Sequence, residues 1–238
     1  MKIALVGYGK MGQAIEKIAL HRNHSIVLKV DLDNAADLNP DKLSQAEMAI
    51  EFTGPDTAFP NIIKCLEAGV PVVCGSTGWL EKQGEAAQFC VSHNGSLLYS
   101  SNFSVGVNIF FEINKKLAEL MSGHPEYKIG VTEVHHAGKK DAPSGTAISL
   151  AQQIIEKVES KKLWVNQSSE NIHELEIISQ RRDSVPGIHA VKYGSSIDDI
   201  EIIHTAHNRE GFATGAVLAA EFLQHRKGIF TMKDVLSL

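Results

Sequence analysis

The chain opens on MKIALVGYGKMG, residues 1–12, and this stretch decides the fold. Residues 2–6 are an apolar run ended by glycine, which reads as a buried strand. Gly7, Gly9 and Gly12 then spell G-x-G-x-x-G, and Ile15, Ile18 and Ala19 follow at helical spacing. In a strand–turn–helix unit the first glycine permits the tight turn. The second lets a pyrophosphate approach the backbone, and the third brings helix and strand together. The helix start then turns its free N–H groups toward phosphate. Tyr8, Lys10 and Met11 complete the loop and join the three glycines as expected cofactor contacts. Asp31 ends the next apolar run, 25–31, at the distance where a carboxylate meets ribose hydroxyls. Leu32 follows where a basic residue would serve a 2′-phosphate, so the reading favours NADH. Lys10 partly compensates, which leaves NADPH open.

Outward from the loop, strand and helix alternate. Strands are expected at 48–52, 70–73 and 96–99, with helices at 60–68 and 81–92. The polar connection 33–46 is too short for a full helix. This order implies a parallel sheet with right-handed crossovers, a Rossmann-type α/β domain. Two loops end strands on the ligand-binding edge of that sheet: Gly75-Ser76-Thr77-Gly78 and Ser100-Ser101-Asn102-Phe103. Both are expected to border the cofactor, although each alone also reads as an ordinary turn.

The texture changes after about Ser104. A long helix is expected at 105–121 and another at 146–158. Strands are expected at 127–135, 174–181, 188–193 and 199–207. The last three lack intervening helices, which points to an α+β domain on a mostly antiparallel or mixed open sheet. From Gly211 the pattern is helical again. The expected division is 1–104 with 210–238 for the dinucleotide, and 105–209 for substrate and assembly.

Composition narrows the classes. A chain of 238 residues suffices for one large domain or two small ones. A net charge of −5 gives no electrostatic reason for nucleic acid or an anionic membrane as partner. No apolar run is long enough for a membrane span or a signal-peptide core. Cys65, Cys74 and Cys90 form no C-x-x-C pair, so reduced, buried thiols in a cytoplasm are expected.

The chemistry concentrates in EVHHAGKKDAPSGTA, residues 133–147. His135 and His136 end a strand, where neighbouring side chains point to opposite faces, so one is expected to react and the other to bind. Histidine titrates near neutrality, as proton transfer requires. Lys139 adds a point positive charge. Ser144 is a natural N-cap, and Gly145 and Thr146 then offer N–H groups to an anion. Metal-ligand spacing is lacking within the segment, so no metal is expected. On physics alone the segment is equally a capped helix with solvated charges.

The pattern E-x-H-H-x-x-K-x-D-A-P-S-G-T-A resembles the signature of the 4-hydroxy-tetrahydrodipicolinate (dihydrodipicolinate) reductase family of bacterial lysine biosynthesis. Residues 101–108, SNFSVGVN, resemble that family's (A/S)-N-F-S-x-G-V-N segment. Gly75-Ser76-Thr77-Gly78 resembles its G-T-T-G loop, and Phe52-Thr53 with Pro55 its D-F-T-x-P stretch, with Glu51 for the aspartate. The matches follow family order along nearly the whole chain. The resemblance implies an NAD(P)H-dependent reduction giving tetrahydrodipicolinate in the diaminopimelate pathway. It implies His135 as proton donor and acceptor and Lys139 as proton donor. His136, Ser144, Gly145 and Thr146 would hold the dicarboxylate substrate. The cofactor contacts it implies are the glycine loop, Asp31, 75–77 and 100–103. It also implies a homotetramer joined through the second domain's sheets, with two domains that close on substrate. The chain departs from the family in a glycine loop one residue shorter than many, with lysine where arginine is common. The stretches 34–46 and 184–189 are short as well.

Two other readings share the glycine loop: another two-domain NAD(P) oxidoreductase of a small carboxylate, and a non-enzymatic dinucleotide sensor. The first does not need the histidine pair. The second should carry a basic helix-turn-helix or a partner-binding segment, and neither is visible. Asp141 is expected to hold the turn.

Overall fold

The structure, a computed structural model, describes residues 1–208 and 210–238. In chain order the first elements are β1 (Lys2–Val6), α1 (Lys10–His21), β2 (Ser25–Val30), α2 (Pro40–Leu43), β3 (Met48–Glu51) and α3 (Pro55–Glu67). There follow β4 (Val72–Cys74), α4 (Gln83–Ser92), β5 (Ser96–Tyr99) and α5 (Val105–Met121). The chain continues through β6 (Lys128–His135), α6 (Gly145–Ile155), β7 (Leu163–Val165), β8 (Glu174–Arg181), β9 (Gly187–Gly194) and β10 (Asp199–Ala206). It ends in α7 (Glu210–Leu223), β11 (Gly228–Phe230) and α8 (Met232–Leu236). Two compact units result: Met1–Asn108 with Glu210–Leu238, and Ile109–Arg209. The expected boundary at residue 209 lies outside the described residues.

The first unit holds a parallel sheet in the order β11-β5-β4-β3-β1-β2. Parallel sheets must be covered on both faces, and the two-residue period of β1 supplies both. Ala4 and Val6 join a core with Ala58 and Ile62 of α3 and Ala86 and Cys90 of α4. Ile3 and Leu5 join another with Ile15 and Ala19 of α1 and Ala216, Val217 and Leu223 of α7. The carboxy-terminal helix therefore closes a face of the first sheet. It sits against the 100–103 loop so tightly that a Cβ on Gly215 would lie 1.7 Å from the Phe103 carbonyl oxygen.

Some boundaries differ from the sequence reading. Helix α3 begins at Pro55, not residue 60, because Pro55 takes the first helical position, where proline's missing N–H costs nothing. The stretch after β2 holds a 3₁₀ turn, Leu32–Asp37, and the single turn α2 capped by Asn39, so no full helix forms there. The short strands β7 and β11 carry too little pattern to be read from sequence. Cys65, Cys74 and Cys90 are free and buried. Among the described residues no helix is long and apolar enough to cross a membrane.

The second unit holds the sheet β10-β9-β6-β8-β7. The β10–β9 and β9–β6 ladders are antiparallel, while β6–β8 and β8–β7 are parallel. The sheet is thus mixed, because α6 and β7 carry the chain from β6 over to a parallel β8. One face packs Ile129, Val131, Ile177 and Val191 against Leu150 and Ile154 of α6 and Phe110 of α5.

Gly215→Ala should force α7 and the Phe103 backbone apart. A loss of about 1–3 kcal/mol is expected, measured by urea denaturation of the purified chain. An unchanged midpoint would show that the helix shifts without cost.

Candidate active site

On the first unit the glycine loop leaves β1 with Gly7 at φ +94°, and a Cβ there would lie 2.1 Å from the Phe52 carbonyl oxygen. A Cβ on Gly12 would lie 2.2 Å from the Gly7 carbonyl oxygen, so both positions are closed to any side chain. Gly9 is the opposite: among the described residues nothing outside its chain neighbours and its own helix backbone lies within 4 Å of its missing Cβ. Gly9 also caps α1 without a side-chain hydrogen bond, so the first-turn N–H groups face that open space. This cradle fits a dinucleotide pyrophosphate. Tyr8 is pinned beside it: its hydroxyl donates to Glu16, and the Lys29 ammonium sits 4.6 Å over its ring. Lys10 is exposed and Met11 half-buried. Asp31 follows β2, whose Val30 pairs with Val6, so it stands on the same edge as the loop. Its Oδ1 accepts from the Leu32 N–H at 3.0 Å.

The other expected cofactor residues lie on this edge with unequal freedom. Gly75 packs on the Phe52 ring, and Thr77 is exposed. The Ser76 hydroxyl is buried and accepts from the Thr53 N–H at 2.8 Å. Ser100 donates to the Asn102 carbonyl at 2.7 Å, Asn102 Oδ1 accepts from the Ser104 N–H, and Ser101 is exposed. The Phe103 ring is 2% exposed and packs on Phe52, so its backbone is what is left to face a ligand. Glu51, noted only as a departure from the resembled pattern, is buried at the end of β3 and accepts from Thr53 and Cys74.

On the second unit the alternation of β6 places Glu133 and His135 on the same face as Ile129 and Val131. The strand ends at His135, so His136 lies just beyond it, half-buried. Glu133 has no exposed surface, and His135 is 8% exposed. The Glu133 Oε1 accepts from the Ser144 N–H at 3.1 Å, and Arg181 Nη1 lies 3.4 Å from it. The Glu133 Oε2 lies 3.1 Å from His135 Nδ1 without forming a hydrogen bond, neither atom has a hydrogen-bond partner among the described residues, and His189 Nε2 lies 3.9 Å from the same Oε2. His189 comes from β9, in register with Glu133, and its ring stands edge-on to His135 at 5.0 Å. Its Nε2 meets the Ser144 hydroxyl at 3.1 Å. Arg181, in register with His135, also donates to the carbonyls of Lys139 and Asp141.

Lys139 is held by both oxygens of Asp141 at 2.8 Å. Asp141 therefore has a partner that the sequence reading did not assign. Ser144 caps α6 by accepting from the Ala147 N–H at 3.2 Å. Among the described residues the N–H groups of Gly145 and Thr146 meet no acceptor, and space lies open beside Gly145.

The titrations follow from burial and charge. Burial lowers the His135 pKa, and the Lys139 and Arg181 charges add to this, while Glu133 opposes them. Burial acts to raise Glu133, but hydrogen bonds from Ser144 and Ser179 and the His135 charge outweigh it and hold its pKa down. Burial, with the neighbouring His135 charge, lowers His189 to about 4. Sequence reading saw no metal-ligand spacing, yet Glu133, His135 and His189 bring ligand atoms within 4.8 Å of one another. The Arg181 guanidinium already faces that carboxylate, and His189 Nε2 is engaged by the Ser144 hydroxyl, so the three groups already have charge and hydrogen-bond partners in place of an ion. Glu133, Arg181 and His189 are the functional candidates that sequence reading did not assign. For Glu133 a signal existed, since a carboxylate at an inward strand position must find partners.

The first unit has a glycine loop whose open space fits a pyrophosphate, and the second has a buried cluster of titratable groups; both features are in keeping with a nicotinamide-dependent oxidoreductase. Comparison with known proteins identifies which. The N-terminal model of dihydrodipicolinate reductase matches residues 1–103, and the C-terminal model matches residues 106–236. A 4-hydroxy-tetrahydrodipicolinate reductase of Christiangramia forsetii is 50% identical over 239 residues, covering 100% of this chain and 98% of the relative. One from Methanococcoides burtonii is 36% identical, covering 88% of this chain and 80% of the relative. In fold, a dipicolinate-bound dihydrodipicolinate reductase from Paenisporosarcina sp. TG-14 is similar with a TM-score of 0.77 at 23% identity, covering 97% of each chain. The chain belongs to the dihydrodipicolinate reductase family.

The pKa of His189 has a consequence for stability. The unfolded histidine takes a proton below its ordinary 6.5, but the folded one only below about 4. The unfolded state therefore binds more protons in this window, and stability falls as pH drops through it, by on the order of 3 kcal/mol. His189→Gln should flatten that part of the stability–pH curve, measured by urea denaturation between pH 7 and 4. Parallel curves for the two proteins would show that His189 protonates equally in both states.

Proposed function

We propose that this chain reduces 4-hydroxy-tetrahydrodipicolinate, after loss of water, to tetrahydrodipicolinate in the diaminopimelate route to lysine. The membership of its two family segments and the 50% identical reductase support the reaction. The observation that carries the site is the open Gly145–Thr146 helix start tied through Ser144 and Glu133 to His135.

The nicotinamide supplies hydride when bound. The chain's own residues bind, orient and protonate. The Gly145 and Thr146 N–H groups and the Thr146 hydroxyl seat one substrate carboxylate at the positive end of α6. His136 assists from the strand end. Such binding suits a dicarboxylate, and the solved family relative of similar fold is described with dipicolinate bound. Lys139 and a protonated His135 stabilise negative charge as it builds on the ring, and one of them delivers the proton. Asp141 holds the Lys139 ammonium until substrate replaces it.

Gly7 to Gly12, Asp31 and the loops 75–77 and 100–103 hold the cofactor, the last through the Phe103 backbone. Asp31 accepts from the ribose hydroxyls, which favours NADH over NADPH. The chain works as a homotetramer. The face of the second sheet turned away from α5 and α6 supports this: it carries Thr132, Ile178, Ile188 and Ala190 half-buried, with Ile203 exposed. The chain's place is the cytoplasm, in keeping with three free thiols.

Initial rates with NADH and NADPH on enzymatically generated substrate test the reading. His135→Gln and Lys139→Ala should each lower kcat on the order of a hundredfold, with unchanged cofactor affinity. Asp31→Ala should weaken NADH more than NADPH. Absence of turnover by the native chain with either cofactor would sink the reaction. Equal loss for both cofactors would sink the role of Asp31.

A further inference from the structure

We propose that Glu133 and His189 are positioning residues for His135: Glu133 accepts a hydrogen bond from Nδ1–H and leaves Nε2 to exchange protons with substrate. The inference rests on the proton role proposed for His135.

The geometry leaves few other arrangements. His135 Nδ1 and Glu133 Oε2 are buried 3.1 Å apart, and among the described residues neither makes a hydrogen bond; His189 Nε2 lies 3.9 Å from Oε2. The distance is within hydrogen-bond reach, and such bonds commonly tighten when a site fills. The other carboxylate oxygen accepts from the Ser144 N–H and Arg181, while Oε2 accepts no hydrogen bond among the described residues. On the opposite side of the ring a Cβ at Gly187 would lie 3.1 Å from Nε2. Glycine there keeps that nitrogen clear. An imidazole with one nitrogen on a carboxylate has its tautomer and orientation set, and its cation is stabilised.

His189 supplies the second restraint. Its ring stands edge-on to His135 and blocks rotation away from Glu133. Its own place is set by the Ser144 hydroxyl. It stays neutral near pH 7, so the mobile charge is confined to His135. The remaining titratable neighbours are Lys139 and Asp141 on the loop and Arg181 on β8. His204 on β10 is in register with His189 and acts on it, not on His135 directly. Ser144 closes the arrangement, because its N–H binds Glu133, its hydroxyl meets His189, and its main chain starts α6. Proton donor and anion seat are thereby held at a fixed offset by a single carboxylate.

The test is the pH dependence of kcat and kcat/KM for Glu133→Gln, Glu133→Asp and His189→Gln beside His135→Gln. For Glu133→Gln, kcat should fall about ten- to a hundredfold with little change in substrate KM. Loss of the carboxylate should also move the basic limb of the profile to lower pH by about one unit. Glu133→Asp should restore the limb in part. His189→Gln should lower kcat severalfold and leave the limb in place. A lowered kcat with an unmoved limb in Glu133→Gln would reduce Glu133 to a structural role, and native kcat in His189→Gln would remove that residue from the proposal. If Glu133→Gln does not fold, ¹⁵N NMR of histidine-labelled native protein decides. His135, assigned by comparison with His135→Gln, should carry its proton on Nδ1 when neutral, and an Nε2–H tautomer overturns the proposal. Normal turnover in His135→Gln would defeat the underlying proton role instead.

Discussion

A carboxylate without water must be surrounded by donors, or folding carries a cost of several kcal/mol. Glu133 is such a group, and the shape of the second unit around it follows from meeting that need. Its partners arrive from different parts of the chain: N–H donors from the start of α6 through Ser144 and from β8 through Arg181, and on its own strand the His135 ring 3.1 Å away. Arg181 extends the constraint further, because its remaining N–H groups hold the carbonyls of Lys139 and Asp141. The connection between β6 and α6 is therefore shaped from beneath by one buried charge. Its conformation does not depend on the loop's own turn preferences alone.

The first unit depends on a different constraint, close approach of backbones. Gly7 lies on the Phe52 carbonyl, Gly12 on that of Gly7, and Gly215 on that of Phe103. These contacts bring α1 and α7 down on one face of the sheet and place the 100–103 loop at its edge. The approach at Gly7 and Gly12 was legible in the sequence, since it belongs to a local strand–turn–helix pattern. The approach at Gly215 was not, since its partner is more than a hundred residues away and FATGAVLAA reads as an ordinary apolar helix. Phe103 shows the same limit: its place in the loop was evident, but the burial of its ring against Phe52 comes from tertiary packing.

The candidate site divides along the same line. His135, Lys139, Ser144, Gly145 and Thr146 share one segment, so strand end, cap and helix start could be read from their order. His189 and Arg181 reach the site only through register, His189 opposite Glu133 and Arg181 opposite His135. Nothing local encodes which strands pair. The parallel β6–β8 ladder in particular depends on the crossover through α6 and β7, which the sequence order of strands does not reveal.

The inward face of β6 runs Ile129, Val131, Glu133, His135, and the core changes character halfway along it. At the apolar end Ile177, Val191 and Tyr193 surround the strand; at the other end stand Arg181, His189 and Ser144. The same two-residue period serves both. Stability does not require the polar half: replacing a buried ion pair by apolar groups of similar volume is often neutral or stabilising. The polar cluster should also make the protein sensitive to acid, because burial holds His189 neutral well below its ordinary range. A sheet selected for stability alone would continue its valine and isoleucine to the end of the strand. The change to glutamate and histidine ahead of the start of α6 is what the proton role proposed for His135 would require.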